Sequence, residues 1–387
     1  MVIRGILLSA LSTLPIPALA QQQSPPPAQR DIIVTAMPLE RTEALLRDCL
    51  ARQCPPKEDI DASLAHAENA FVAGDYKTAR TTLLASIRRN KKYAATLPVD
   101  VSDLMRAQSR VAVHLGEKAS YLSSTRDVVA TLKAGLPESD SRILDARIAV
   151  GDSQAKIGNV NTAVRIYRSV IERAQKYDLG QTASYAQLRI ANLFASLAEQ
   201  DVIYREAADR ELAALADLTD PKFARFSGAA KVMLARAAAR RGDMTQVDRL
   251  VDSLKANAET TPILLYAPPL VPDRLPGSGP LVTTVNRVLT SNVDKQWVDI
   301  GFWIGTDGKV SDIEILRESP SLSGHWVEPV KTALIGRRYA PFTPKSARSG
   351  MQRVERYTFT AFWSVKLGSR IRSRDPETRI EMIDLTS

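Results

Sequence analysis

Glycines recur at a fixed interval through the middle of this chain. Gly74 to Gly116 is 42 positions, Gly116 to Gly158 is 42, and Gly158 to Gly242 is 84, twice that. The surrounding segments echo one another: Ala73-Gly74-Asp75-Tyr76-Lys77-Thr78-Ala79, Leu115-Gly116-Glu117, Ile157-Gly158-Asn159-Val160-Asn161-Thr162-Ala163 and Arg241-Gly242-Asp243-Met244-Thr245-Gln246-Val247. The missing glycine falls at Gln200, inside Leu197-Ala198-Glu199-Gln200-Asp201. A shared phase over five units marks a structural repeat. Each unit then has one helix before the glycine turn and one after it. Ala67 and Phe71 precede the first turn, and Ala235 and Ala239 the last; small residues there allow close helix approach. After the turn, Tyr76, Ala79, Leu83 and Ser86 align with Val160, Ala163, Tyr167 and Val170, then with Met244, Val247, Val251 and Leu254. That spacing forms the buried stripe of an amphipathic helix. A single pair cannot cover its own apolar face, so the pattern predicts a stacked helical array over residues 59–262.

The array resembles the tetratricopeptide repeat (TPR), with a unit longer than that family's usual length of about 34 residues. The Gly-Asp/Asn-x-x-x-Ala turn carries the resemblance. The fourth unit departs from it, with Gln200 in place of glycine and Arg205 at the small-residue position. The resemblance implies a solenoid that recruits proteins; it does not identify the ligand.

A Pro-rich passage follows, Tyr266-Ala267-Pro268-Pro269-Leu270-Val271-Pro272 and then Gly277-Ser278-Gly279-Pro280. Beyond it the hydrophobic period changes to two. Val298, Ile300, Phe302 and Ile304 share one face, Thr306-Asp307-Gly308-Lys309 follows, and Val310-Ser311-Asp312-Ile313-Glu314-Ile315-Leu316 answers. The Asp-Gly pair predicts a tight hairpin of the primed-turn kind. Past Pro320 the helical period returns: Trp326, Val330, Ala333 and Leu334 line one face, with Pro329 in the first turn and Gly336 as the stop. Arg337-Arg338-Tyr339-Ala340-Pro341-Phe342 then leads to a last strand over 353–363, and residues 367–387 read as a charged tail.

The order hairpin, helix, returning strand resembles the C-terminal domain of TonB, the periplasmic energy transducer of Gram-negative bacteria. The matching residues are Thr306-Asp307-Gly308-Lys309-Val310, the helix exit from Ala333 to Phe342 with its arginine-aromatic-x-Pro pattern, and the aromatic last strand. The whole chain thus reads as α+β and multidomain: a TPR-like solenoid, then a small TonB-like domain with an antiparallel sheet and one helix over residues 263–366. The resemblance implies that the last strand, Tyr357, Thr358, Phe359, Thr360, Ala361, Phe362 and Trp363, offers a free edge to an extended peptide. In that family the peptide is the TonB box of an outer-membrane receptor. Ile32, Ile33, Val34 and Thr35 of this chain resemble such a box, which would allow self-association.

Residues 1–20 read as a targeting segment, with Arg4 as the charged start, an apolar run from Ile6 to Leu14, and Ala18-Leu19-Ala20 as a cleavage site. The run is well short of the roughly 20 residues of a spanning helix. The expectation is a soluble periplasmic protein with no stable membrane span; an uncleaved inner-membrane anchor is the competing reading. Residues 21–58 read as a flexible segment, Gln/Pro-rich at first. It ends with Cys49 and Cys54, the only two cysteines, whose close spacing in an oxidising compartment predicts a local disulfide. A metal site would need further ligands, and the three histidines, His66, His114 and His325, are scattered.

Charge is lopsided. From residue 337 to 375, Arg337, Arg338, Lys345, Arg348, Arg353, Arg356, Lys366, Arg370, Arg372 and Arg374 face only Glu355 and Asp375, so most of the net +9 lies there. In an exported protein such a patch suits acidic envelope partners or anionic headgroups rather than nucleic acid. No catalytic constellation, zinc-ligand spacing or phosphate loop is present in the sequence, so neither enzyme activity nor a cofactor is expected. The favoured function is an adaptor whose TonB-like domain binds an outer-membrane receptor's peptide by strand addition while the repeats hold a second protein. The alternative is an envelope scaffold that binds peptidoglycan or headgroups through the basic face.

Overall fold

The structure, a computed structural model, describes residues 38–255 except 200 and 244, 262–270 except 269, 296–322, 326–343, 350–365 and 371–386. The targeting segment, the box-like residues 32–35 and His325 lie outside the described residues.

Among the described residues eleven α-helices come first: α1 (Leu39–Ala51), α2 (Pro56–Val72), α3 (Tyr76–Asn90), α4 (Pro98–His114), α5 (Lys118–Gly135), α6 (Ser141–Lys156), α7 (Val160–Lys176), α8 (Gly180–Ala198), α9 (Arg205–Ala216), α10 (Ala224–Arg240) and α11 (Thr245–Lys255). From α2 onward they pair as the glycine period requires. Gly74, Gly116, Gly158 and Gly242 each lie between the two helices of a pair with φ of 84, 70, 84 and 91°. That left-handed conformation lets the next residue's N–H reach back five residues: Asp75 to Ala70 O, Glu117 to Ala112 O, Asn159 to Gln154 O and Asp243 to Ala238 O. Repetition of one capped turn at one spacing makes the array a TPR-like solenoid. The stripe residues Tyr76, Ala79, Leu83, Ser86, Ala163, Tyr167, Val170 and Val247 are buried as their spacing implies, while Val160 is half-buried.

Two parts of the sequence reading need correction here. Residues 39–58 form α1, a short turn and the start of α2 rather than a flexible segment: Leu39 packs on the first core and Thr42 and Cys49 are buried, so α1 packs on α2. Cys49 and Cys54 are joined where α1 ends, with Cα atoms 5.1 Å apart. In the fourth unit, Arg205 is exposed and does not occupy the small-residue position. The connection from α8 to α9 spans residues 199–204 and contains the 3-10 turn Val202–Tyr204, where the first three units use only three residues. The buried stripe therefore moves three places along, to Ala208, Leu212 and Leu215.

The C-terminal part forms β1 (Leu264–Tyr266), β2 (Gln296–Gly305), β3 (Val310–Glu318), α12 (Val327–Ile335), β4 (Arg338–Tyr339), β5 (Gly350–Val365) and β6 (Arg372–Asp384). The larger sheet has the order β3-β2-β5-β6, antiparallel throughout, and β1 pairs with β4. Val298, Ile300, Phe302 and Ile304 face α12, where they meet Trp326, Val327, Val330 and Leu334 together with Tyr357, Phe359 and Ala361. The β2–β3 turn is not a two-residue primed turn. Gly305 N–H donates to Lys309 O and Gly308 N–H to Gly305 O, both at 2.9 Å, and only Gly308 has positive φ. This is a three-residue loop closed by a left-handed glycine. Gly336 ends α12 with an ordinary φ of −74°; its lack of a side chain serves packing, since a Cβ would lie 2.5 Å from Pro268.

Of the residues expected to form a charged tail, Arg372–Asp384 are instead β6. From Glu355 to Ala361, β5 pairs with Asp384 back to Thr378 without a break. Residues 357–359 are therefore flanked by β2 and β6, while 360–363 run beside β6 on one side and Trp363 N–H donates to Gly116 O, so the edge expected there is largely taken up by the chain itself. The misreading has a physical cause. Arg374, Arg379 and Glu381 look like solvated charges in sequence, but each finds a partner across the fold.

Candidate functional site

The second face of the sheet is covered by the helical array along β2 and β5. Alternation along β2 and β5 sends Trp297, Asp299, Arg356 and Thr358 away from α12 and onto the turns of the helical array. The two halves of the chain thus meet at the ends of α2, α4 and α6.

Arg356 is the centre of this contact and is fully buried. Its Nε and Nη2 donate to Asp299 at 2.6 and 2.9 Å, while Nη1 and Nη2 donate to Phe71 O and Val72 O at 2.6 and 2.7 Å. Those carbonyls close α2, where the last turn has no intrahelical donors and the helix dipole is negative. The guanidinium also lies 4.1 Å from the ring of Trp297. Burial works most strongly against its charge, but the hydrogen bonds to Asp299 together with the fields of Tyr76 and Asp299 outweigh it and hold its pKa above the usual arginine value. Asp299 receives Arg317 from its other side at 2.7 Å. Gly74 is needed at this point, because a Cβ would stand 2.5 Å from Trp297.

Two further arginines repeat the arrangement one and two units along. Arg374 donates to Leu115 O, the cap of α4, at 2.9 Å and lies 4.1 Å from the Trp363 ring. Beside it, Trp363 N–H donates to Gly116 O at 2.8 Å. Arg379 donates to Lys156 O, the last residue of α6, at 3.3 Å, and Lys156 pairs with Glu381. The first helices of three successive repeats thus each present their terminal carbonyls to one arginine of the sheet.

Between the first two of these lies a small polar core. Thr358 Oγ1 is 3.0 Å from Tyr76 Oη and 2.9 Å from His114 Nδ1. Phe71 stacks on Tyr76 and meets His114 edge-on. Burial, helped by the charges of Lys156, Arg356 and Arg110, pushes the His114 pKa down to about 3.

The residues expected to bind a peptide are all used internally. Tyr357, Phe359 and Ala361 belong to the core under α12. Thr358, Phe362 and Trp363 contact array residues or stack with the arginines that hold the array, and Thr360 is buried. Part of the basic patch is likewise engaged within the chain, while Lys345, Arg348, Lys366 and Arg370 lie outside the described residues. Besides Arg356 and Arg374, Arg337 is buried against Glu355 at 2.8 Å and Arg353 pairs with Asp384. The role of Arg356 was not readable from sequence, where it was one basic residue among ten.

At the far end of the array, β1 lies on α10. Arg236 donates to the carbonyls of Leu264 and Leu265, and Val232, Leu265 and Ala340 pack together. The C-terminal part therefore touches both the first three repeats and the fifth.

This arrangement defines a helical-repeat scaffold with an antiparallel sheet domain clamped across its turns. No family model matches the chain, and no curated protein matches it. Among solved structures, BtubC (BKLC) from P. vanneervenii is 14% identical, covering 57% of this chain and 91% of its own, with a TM-score of 0.42. A putative kinesin light chain from Podosopora anserina with nearly identical TPR-like repeats is 17% identical over 52% of this chain and 95% of its own, with a TM-score of 0.38. The repeat class assigned here rests on the chain's own 42-residue period and its matching turns.

Proposed function

We propose that the protein is a non-enzymatic, exported periplasmic adaptor: the helical array recruits one protein, and the TonB-like sheet, held rigidly on the array, takes an extended peptide from an outer-membrane receptor. The observation that supports this most is the clamp itself. A sheet fixed to three repeats through Arg356, Arg374 and Arg379 joins two binding surfaces with little freedom between them. A purely electrostatic envelope scaffold is less well supported, because Arg337, Arg353, Arg356 and Arg374 are engaged within the chain.

Since β5 lies between β2 and β6 over Glu355–Phe359 and its 360–363 stretch runs beside the turn at Gly116, the strand-adding edge in this reading is β3 or β6. β3 is poorly suited: its register with β2 shifts twice and Asp312 sits in the left-handed region at φ 50°. Such bulges protect an edge from pairing. β6 keeps unbroken register from Thr378 to Asp384 and is the better template. The test is hydrogen exchange on the full chain during titration with a receptor-type box peptide and with a peptide of residues 31–36. Saturable binding with modest salt dependence and slowed exchange over 378–384 is the expected result. Absence of binding by both peptides, or protection confined to the helices, overturns the proposal.

A further inference from the structure

The fourth repeat departs from the others, and the departure has chemical content. Its connection between α8 and α9 is three residues longer than those of the first three units, and its stripe is displaced by the same amount. Beside that connection, between α8, α9 and the end of α10, lies a cavity of about 470 Å³ reached by Tyr266 of β1. Repeats one to three have their turn ends covered by the sheet through Arg356, Arg374 and Arg379; this cavity lies beyond them.

Its lining is strongly basic. Arg205, Arg236, Arg240 and Arg241 face only two carboxylates, Glu199 and Asp209. Arg236 is held by the carbonyls of β1 and Arg240 by Glu199. Arg205 and Arg241 are exposed and have no ion-pair partner among the described residues. Arg236 is held by neutral carbonyls alone, and burial lowers the pKa of both Arg236 and Arg240. The polar rim is completed by Asn192 and Ser196, and the floor by Ala195, Leu212 and Met233. Guanidinium forks around an open cavity match carboxylates, which they hold in paired hydrogen bonds. The apolar floor adds room for an aliphatic stem.

We propose that this cavity between α8, α9 and α10 is where the array takes an acidic peptide segment of its partner protein, with Arg205 and Arg241 engaging the carboxylates and Arg236 and Arg240 supplying the field behind them. The inference rests on the adaptor reading and names the chemistry of the partner held by the repeats.

The test uses the full chain and a labelled hexapeptide of alternating Glu and Leu, beside its Gln and Leu counterpart, with inorganic phosphate as competitor. Arg205→Glu/Arg241→Glu is the diagnostic variant, since both side chains are exposed and the fold does not depend on them. An unchanged unfolding midpoint verifies that the variant is folded. The expected result is saturable binding of the Glu peptide, at least tenfold weaker binding of the Gln peptide, and at least a tenfold loss in the double variant. Equal binding of both peptides, or an unaffected double variant, overturns the proposal. Binding of phosphate without the peptide overturns it in favour of a small-anion site. Strand addition at β6 is read separately by exchange over 378–384, so loss of the cavity's ligand leaves that result standing, and the reverse.

Discussion

Replacing Arg356 with methionine removes the cation while retaining much of its apolar stem. Three things are lost at once: two hydrogen bonds to Asp299, two to the closing carbonyls of α2, and the contact with the Trp297 ring. Breaking one partner of a buried pair typically costs about 3–5 kcal/mol, because the remaining charge stays buried. Arg317 still reaches Asp299, which moves the value toward the lower limit. The carbonyl of Val72 loses its arginine donor and moves it back, since a buried acceptor without a donor costs about 1–3 kcal/mol, while Phe71 O keeps the Gly74 N–H. These contributions overlap, so the net prediction is a loss of about 4 kcal/mol on the same scale. Urea unfolding of the full chain, followed by tryptophan fluorescence, measures it, with Trp297 as the reporter nearest the change. Asp299→Asn and the double variant complete a cycle, with a predicted coupling above about 1.5 kcal/mol, within the range for residues in contact. A single-variant loss below about 1 kcal/mol, comparable with a surface ion pair, would refute the reasoning. So would a coupling near zero, since Arg356 and Asp299 would then not act as a unit.

Two other predictions follow from the turns and the polar core. Gly116→Ala and Gly158→Ala both place a Cβ at positive φ, which costs roughly 1–2 kcal/mol by itself. At Gly158 nothing lies within 4 Å, whereas at Gly116 the Cβ would stand 2.1 Å from Ala361 O. Gly116→Ala should therefore be the worse by at least about 1 kcal/mol in chemical unfolding, as overpacking contributes on that order; equal losses would show that the sheet does not press on this turn. For His114, folding holds the ring neutral, with its pKa lowered from 6.5 to about 3, while the unfolded chain takes up a proton below 6.5. Its contribution is therefore fully present above 6.5 and is lost as pH falls toward 3. That amounts to about 2 kcal/mol by pH 5 at 1.36 kcal/mol per unit. Unfolding at pH 7.5 and 5 should show that component in the wild type and not in His114→Gln; identical pH dependence of the two would refute it.

Local signals and tertiary signals account for what could be read in advance. The glycine phase was legible because a left-handed turn tolerates few other residues, and the stripe from Ala79 to Ser86 because burial follows helical spacing directly. The alternation from Val298 to Ile304 was legible for the same reason. β6 was not. Of its alternating positions, Ile380 packs under α12 and Ile383 on the array, while Arg374, Arg379 and Glu381 are charges whose partners are more than 200 residues away in sequence. A charge satisfied only by tertiary contact looks identical to a solvated one in a single sequence. The same limit hid Arg356. It also hid the shift in the fourth unit, where an insertion of three residues keeps the length of the chain plausible but moves Arg205 to the surface and Ala208 into its place.

The spacing of the clamp has a consequence for binding. In a solenoid each repeat normally contacts only its neighbours, so curvature relaxes through many small rotations. Here the ends of α2, α4 and α6 are tied to one continuous sheet through Arg356, Arg374 and Arg379. β1 ties the same C-terminal part to α10 of the fifth repeat through Arg236. Rotation of one repeat against the next would have to break these arginine hydrogen bonds, buried at Arg356 and more exposed toward Arg379; a hydrogen bond to a charged group contributes about 1.5–3 kcal/mol. The array is thereby held near one curvature before any partner arrives. A surface ordered in advance loses less freedom on association, which raises affinity without adding contacts. Loosening the clamp at Arg356 should therefore weaken a partner held at the α8–α10 cavity, even though the two places share no residue. Measuring the acidic peptide's affinity on the folded Arg356→Met chain decides it: a loss accompanied by faster amide exchange in α8 and α10 supports coupling through curvature, and unchanged affinity rejects it.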